Sequence, residues 1–179
     1  LQMKTIWGIS ALHHDASITV MKGNDILFAA HSERYSRIKN DLHLNNDIIQ
    51  AALYYGCPEE IIWFEQPYVK KFRQAFAGQW SEIKSQTPKA HLRSLGISGI
   101  PVKYVPHHLS HAAAGYYTSK FKDSAIIVVD AIGEFDTITI WYALDNELKK
   151  IHSIEYPNSL GLLYSAVTDR IGLKPNEEE

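Results

Sequence analysis

Short runs in which apolar and polar positions alternate open the chain. Thr5-Ile6-Trp7-Gly8-Ile9-Ser10 is apolar and β-branched and predicts a strand, followed by a polar turn at Ala11 to Asp15. Residues 16–21 alternate small or polar side chains with apolar ones, the period of a strand. Lys22-Gly23-Asn24-Asp25 supplies hairpin chemistry, because Gly and Asn accept the positive φ of a tight turn, and Ile26 to Ala30 returns as a third strand. The pattern then changes to a helical one. Asn46 is placed to cap a helix over 47–55, with apolar residues at 48, 49, 52 and 53 and Gly56 as its stop. A strand at 60–64 follows, then a longer helix from about Tyr68 to Ile83. Its stripe of Phe72, Phe76, Trp80 and Ile83 predicts a core-facing edge, and Thr87-Pro88 interrupts the pattern. A strand at 101–105, a helix at 110–118 and a strand at 125–131 complete this pass.

A second pass begins there. Residues 137–144 alternate as a strand, Asp145-Asn146-Glu147 reads as a turn, and Lys149 to Tyr156 reads as another strand. Ser159 caps a helix whose apolar face is Leu160, Leu163, Tyr164, Val167 and Ile171, closed by Gly172. An offset of about 122 positions lays Gly23-Asn24-Asp25 on Asp145-Asn146-Glu147 and Gly8 on Asp130. Both halves read strand, turn, strand, turn, strand, helix. That repetition predicts an α/β protein of the ribonuclease-H-like, actin-type class (ASKHA): residues 3–124 as a complete first lobe, 125–179 as the start of a truncated second lobe. The second copy halts after one helix, at Asn176 to Glu179, so the expectation is a fragment of a longer protein.

Composition narrows the function classes. A net charge of -2 over 179 residues carries no basic footprint for nucleic acid, and the Lys70-Lys71 and Lys149-Lys150 pairs read as solvated surface. No apolar run approaches the roughly 20 residues that a membrane span requires. The single cysteine, Cys57, excludes an internal disulfide framework and fits a reducing, cytoplasmic setting.

Three clusters can carry chemistry. His107 and His111 are four apart in Pro106-His107-His108-Leu109-Ser110-His111-Ala112, so on a helix of about 3.6 residues per turn they share a face. Asp130 ends the apolar run 125–129, and two imidazoles with a carboxylate suit iron, zinc or manganese. Alternatively, these histidines merely contact neighbouring elements. A zinc-protease reading fails because His108 stands where the catalytic Glu would be, and His108 points about 100° away from its neighbour around a helix. The second cluster, His13-His14-Asp15, occupies the first hairpin turn. With Gly8 at the position taken for a strand-end Asp, it argues against phosphoryl transfer and suits proton abstraction. The third, Arg34 and Arg37, is spaced either to clamp an anion or to lie on a salt-bridged face.

Taken together, His14-Asp15-Ala16-Ser17, Glu33-Arg34-Tyr35-Ser36-Arg37-Ile38-Lys39, His107-His108-Leu109-Ser110-His111-Ala112-Ala113, Val129-Asp130-Ala131-Ile132-Gly133-Glu134, Ser159 to Tyr164 and Gly172 to Asn176 resemble the O-carbamoyltransferase family of nodulation and antibiotic biosynthesis. The chain departs from that pattern at Ala131, where the family usually has Gly. The resemblance implies an actin-type domain that transfers a carbamoyl group to the hydroxyl of a sugar or natural-product acceptor. The donor would be carbamoyl-adenylate, made from carbamoyl phosphate and ATP at a second domain. It further implies His107, His111 and Asp130 as metal ligands, with iron the first expectation, His14 as the base, and Arg34 and Arg37 as cofactor-binding residues. A homodimer of the full-length protein is compatible with this reading, and the 179 residues alone are expected to be inactive. An actin-type sugar kinase and a non-catalytic binding module of the same fold are the alternatives.

Overall fold

The structure, a computed structural model, describes residues 3–175. The chain forms two compact units, Leu1–Val105 and Pro106–Glu179. In the first, strands β1 (Thr5–Ser10), β2 (Ser17–Lys22) and β3 (Asp25–His31) make the expected antiparallel meander. After the short helix α1 (Glu33–Ser36) and α2 (Asn46–Tyr55), β4 (Glu60–Trp63) pairs parallel with β1. Helices α3 (Pro67–Phe76), α4 (Trp80–Ile83) and α5 (Pro88–Ser94) lead to β5 (Val102–Tyr104), parallel to β4. The five-stranded order is β3-β2-β1-β4-β5, a mixed sheet with β1 at its centre.

The alternation in sequence sets what is buried. Trp7 and Ile9 on β1 and Ile18 and Val20 on β2 point to one face, because successive strand side chains alternate sides. They pack with Ile48, Ile49 and Ala52 of α2, and Ile61, Trp63 and Leu92 complete that core. Burial of each large apolar side chain contributes about 2 kcal/mol. The α2 cap is Asn45, one residue earlier than the sequence pattern placed it: its Oδ1 accepts the Ile48 N–H at 3.1 Å.

The predicted helix over 68–83 divides at Gly78, whose φ of +73° ends α3 and frees the chain to start α4. Its aromatic stripe does not face the core. Phe72, Phe76 and Trp80 are exposed, while α3 turns Pro67, Arg73 and Gln74 inward. Polar pairing makes that tolerable: Lys70 Nζ donates to both Glu65 oxygens at 3.1 and 2.9 Å, and Arg73 Nη1 to Gln79 Oε1 at 3.0 Å. Thr87-Pro88 does not merely interrupt. Thr87 caps α5 by accepting the Ala90 N–H, and Pro88 takes the first helical position.

In the second unit, α6 (His107–Tyr117) precedes a three-stranded antiparallel sheet of β6 (Asp123–Val129), β7 (Asp136–Leu144) and β8 (Glu147–Glu155). The helix starts three residues before the predicted boundary, so all of His107 to His111 is helical. Thr137, Thr139, Trp141 and Ala143 alternate onto the buried face of β7, and Ala112 of α6 packs with Trp141 and Val128. Ser159 caps α7 (Leu160–Arg170), accepting the Leu162 N–H at 3.0 Å as the pattern required. The apolar edge of α7, however, is exposed at Leu160, Leu163, Tyr164, Val167 and Ile171. The expected stop at Asn176 to Glu179 lies outside the described residues.

The strand registers correct one correspondence. Gly8 sits inside β1 opposite Thr19, whereas Asp130 follows the end of β6. Both β1–β2 and β6–β7 are joined by six residues, 11–16 and 130–135, so Ala11, not Gly8, occupies the position of Asp130. β7 runs three residues longer than β2, nine against six, which moves the offset to 122 only at the next turn.

Candidate metal centre

The start of α6 is fixed from outside the helix. Its N-cap, Pro106, offers no side-chain acceptor, and the His107 N–H donates instead to both oxygens of buried Glu134, at 3.2 and 3.0 Å. A carboxylate there satisfies an otherwise orphan donor and complements the positive end of the helix dipole. Glu134 belongs to the 130–135 turn, so this bond ties the turn bearing Asp130 to the helix bearing the histidines.

The turn is held just as closely on its other side. The Asp130 N–H donates to Thr137 O at 2.9 Å, and the Ser159 hydroxyl donates to Ala131 O at 2.6 Å. A Cβ on Gly161 would lie 2.5 Å from the Ala131 backbone and 2.7 Å from the Asp130 carbonyl carbon, so only glycine allows α7 to start where it does. A Cβ on Gly133 would lie 2.9 Å from the His108 ring.

These supports bring together the three residues that the sequence singled out as metal ligands. His107 Nε2 is 2.8 Å from Asp130 Oδ2 and 3.0 Å from His111 Nε2, and His111 Nε2 is 4.0 Å from Asp130 Oδ2. One donor atom from each residue lies within 4.8 Å of the others. Two ligand atoms sharing an ion at about 2.1 Å stand about 3.0–3.4 Å apart. Both separations from His107 Nε2 are near that range, and the 4.0 Å between His111 Nε2 and Asp130 Oδ2 would have to close for all three to meet one transition-metal ion. The side chain of His107 is 10% exposed and that of His111 53%, which leaves open positions toward solvent on the His111 side.

Asp130 is held in its carboxylate form. Burial by itself would raise its pKa. The hydrogen bond and charge of His107, the Ala131 N–H on Oδ1 at 2.7 Å and the charge of His111 outweigh burial and hold it well below the usual carboxylate range. His108 behaves differently from its neighbours. It is 1% exposed, its Nδ1 meets Thr139 Oγ1 at 2.9 Å, and burial is the main cause that pushes its pKa below the ordinary histidine value.

The other sequence candidates lie in the first unit. His14 is exposed in the β1–β2 turn, and its Nδ1 is 3.1 Å from Asp15 Oδ2. A carboxylate on Nδ1 keeps the proton there and leaves Nε2 with its lone pair, the form a base requires. Arg34 on α1 and Arg37 at its C-terminal cap are both exposed, and Arg34 Nη2 is 3.8 Å from Glu33 Oε1. Sequence reasoning assigned no role to Glu134, Gly133, Gly161 or Thr139. The usable signal was two small residues, Gly133 and Gly161, beside motif positions, together with Thr139 and Trp141 sharing one strand face.

A family described as carbamoyltransferase N-terminus matches residues 5–179. An uncharacterized protein of Synechocystis, sll1178, is 31% identical over 99% of this chain and 33% of its own length. An uncharacterized protein of Methanocaldococcus jannaschii, MJ1051, is 28% identical over 93% of this chain and 30% of its own. The nodulation protein NolNO of Sinorhizobium fredii is 27% identical over 89% of this chain and 25% of its own. The chain thus spans a third or less of these relatives.

Proposed function

Because the chain belongs to the carbamoyltransferase family through that family's N-terminal domain, we propose that it forms the transfer site of a longer carbamoyltransferase. Its two units then correspond to the first lobe and the start of the second lobe of an actin-type fold. The β3-β2-β1-β4-β5 order and the paired six-residue turns support that assignment.

The observation that carries the proposal is the convergence of His107, His111 and Asp130 within 4.8 Å. Those residues would hold a divalent ion, iron by preference, whose Lewis acidity would favour loss of the phosphate-linked oxygen of the donor. The donor is carbamoyl-adenylate made from carbamoyl phosphate and ATP, and the acceptor is a hydroxyl on a sugar or natural product. His14 Nε2 takes the hydroxyl proton, with Asp15 on Nδ1 orienting the ring. The acceptor oxygen bonds to the carbamoyl carbon, and the bond from that carbon to the adenylate oxygen breaks, releasing AMP. Arg34 and Arg37, paired on an exposed helix end, would clamp the anionic donor.

The test is to incubate the whole protein with carbamoyl phosphate, ATP and a panel of hydroxyl compounds, and to follow AMP release and carbamate formation by mass spectrometry. Carbamoylation that requires both substrates, and that is lost in Asp130→Asn and in His14→Ala, is expected. Carbamoylation undiminished in His14→Ala would remove that residue as the base.

A further inference from the structure

A short polar relay runs behind the three candidate ligands. Trp141 Nε1 is 2.7 Å from Thr139 Oγ1, and the same oxygen is 2.9 Å from His108 Nδ1. Thr139 is fully buried and His108 almost so. The indole N–H can only donate, so Thr139 accepts from Trp141. Its hydroxyl proton is then best placed on His108 Nδ1, which fixes the imidazole as the Nε2–H tautomer. Nε2 is without a hydrogen-bond partner in either tautomer, but the opposite one would also strand the buried Thr139 hydroxyl proton, at a cost of about 1–3 kcal/mol.

The remaining Nε2–H has no hydrogen-bond partner, and the nearest carboxylate oxygen, Asp130 Oδ2, is 4.0 Å away. That oxygen already faces His107 Nε2 at 2.8 Å. The two contacts belong to different states. Without an ion, His107 carries its proton on Nε2 and donates it to Asp130. To ligate through Nε2, His107 must carry the proton on Nδ1 instead, and Asp130 Oδ2 loses its donor.

We propose that His108 is a positioning residue that takes over this contact: the Trp141–Thr139–His108 relay presents an N–H that holds Asp130 in its ligating orientation once His107 turns its lone pair to the ion. The inference rests on the metal reading of His107, His111 and Asp130. It explains why a histidine that is no ligand is buried beside them. With the Ala131 N–H on Oδ1, both carboxylate oxygens are then hydrogen-bonded, and outer-shell bonds of this kind typically account for about 10- to 100-fold in metal affinity.

The experiment measures iron(II) and zinc(II) affinity of the whole protein. His108→Phe is expected to bind about 10- to 100-fold more weakly, and His108→Gln, which restores an N–H at the far end of the side chain, to recover most of the loss. Thr139→Val should weaken binding while Thr139→Ser should not. In metal-free protein carrying isotope-labelled histidine, NMR should show His108 as the Nε2–H tautomer, and Thr139→Val should shift it toward a mixture. If the wild-type protein binds neither ion, the metal reading fails. If it binds and all four variants match it, or if His108 is the Nδ1–H tautomer, the positioning role is overturned. Should His108→Phe not fold, the Thr139 pair decides, and equal affinity of Val and Ser variants overturns the proposal.

Discussion

The turns 11–16 and 130–135 have the same length and each joins the first two strands of an antiparallel run, yet only the second brings together a candidate metal-ligand set. In the first, the strand end carries Ala11, and the histidine of interest, His14, is exposed with one carboxylate neighbour. In the second, the strand end carries Asp130, and three other elements fasten the turn: α6 through Glu134, β7 through Thr137 and α7 through Ser159. The first turn is instead fastened to a loop, by Leu12 N–H on Leu42 O and Ala16 N–H on Asp41 O, each at 2.7 Å. Under the proposed function, equal loops would therefore acquire different chemistry from what docks on them. A base needs access and one orienting partner. A metal centre needs several donors held at fixed separations.

The comparison can be broken most directly at its strongest points. Asp130→Asn should lower metal affinity at least about 100-fold, measured by metal content after dialysis, whereas Ala11 substitutions should leave it unchanged. Gly161→Ala drives a methyl into the Ala131 backbone and should cost about 3 kcal/mol of stability, read as a fall in Tm together with loss of bound metal.

Acid should separate the two turns. His91 Nε2 accepts the Leu44 N–H at 3.2 Å, beside the loop that holds the first turn. Burial, then the charge of His43, with Asp41 opposing, pushes its pKa down to about 4. The unfolded chain protonates this histidine near pH 6.5, so its contribution is complete above about 6.5 and is lost as pH falls toward 4, about 3 kcal/mol in all. Denaturant titrations across that window should show the loss, and His91→Gln should flatten it. Asp130 has a linkage of the same sign at a lower pH: its depressed pKa keeps its contribution intact through this window, and it is lost only as pH falls below the ordinary carboxylate range.

Smaller effects sharpen the contrast. Glu134→Gln keeps the shape but removes the charge at the start of α6, and should cost about 1 kcal/mol, seen as faster hydrogen exchange at the His107 amide. His14→Ala should leave metal affinity unchanged altogether, whatever it does to transfer.

Both meanders, the helix spacing of His107 and His111, the Ser159 cap and the strand-end Asp130 were legible because each follows from a local period or a local bond. The aromatic stripe from Phe72 to Trp80 misled for the same reason. A helical period says which residues share a face, but not which face is turned inward, and Gly78 broke the period besides. Gly8 was matched to Asp130 because a single offset cannot register two runs whose second strands differ by three residues.

The sequence by itself determined the residue types of the candidate metal centre, their helical spacing and the strand that delivers Asp130, because these depend on neighbours a few residues apart. Tertiary structure alone decided that Glu134 caps α6, that Gly161 lets α7 reach the Asp130 turn, and that His108 is buried against Thr139. Those contacts join residues about 27 to 31 positions apart, and no local period encodes where such partners meet.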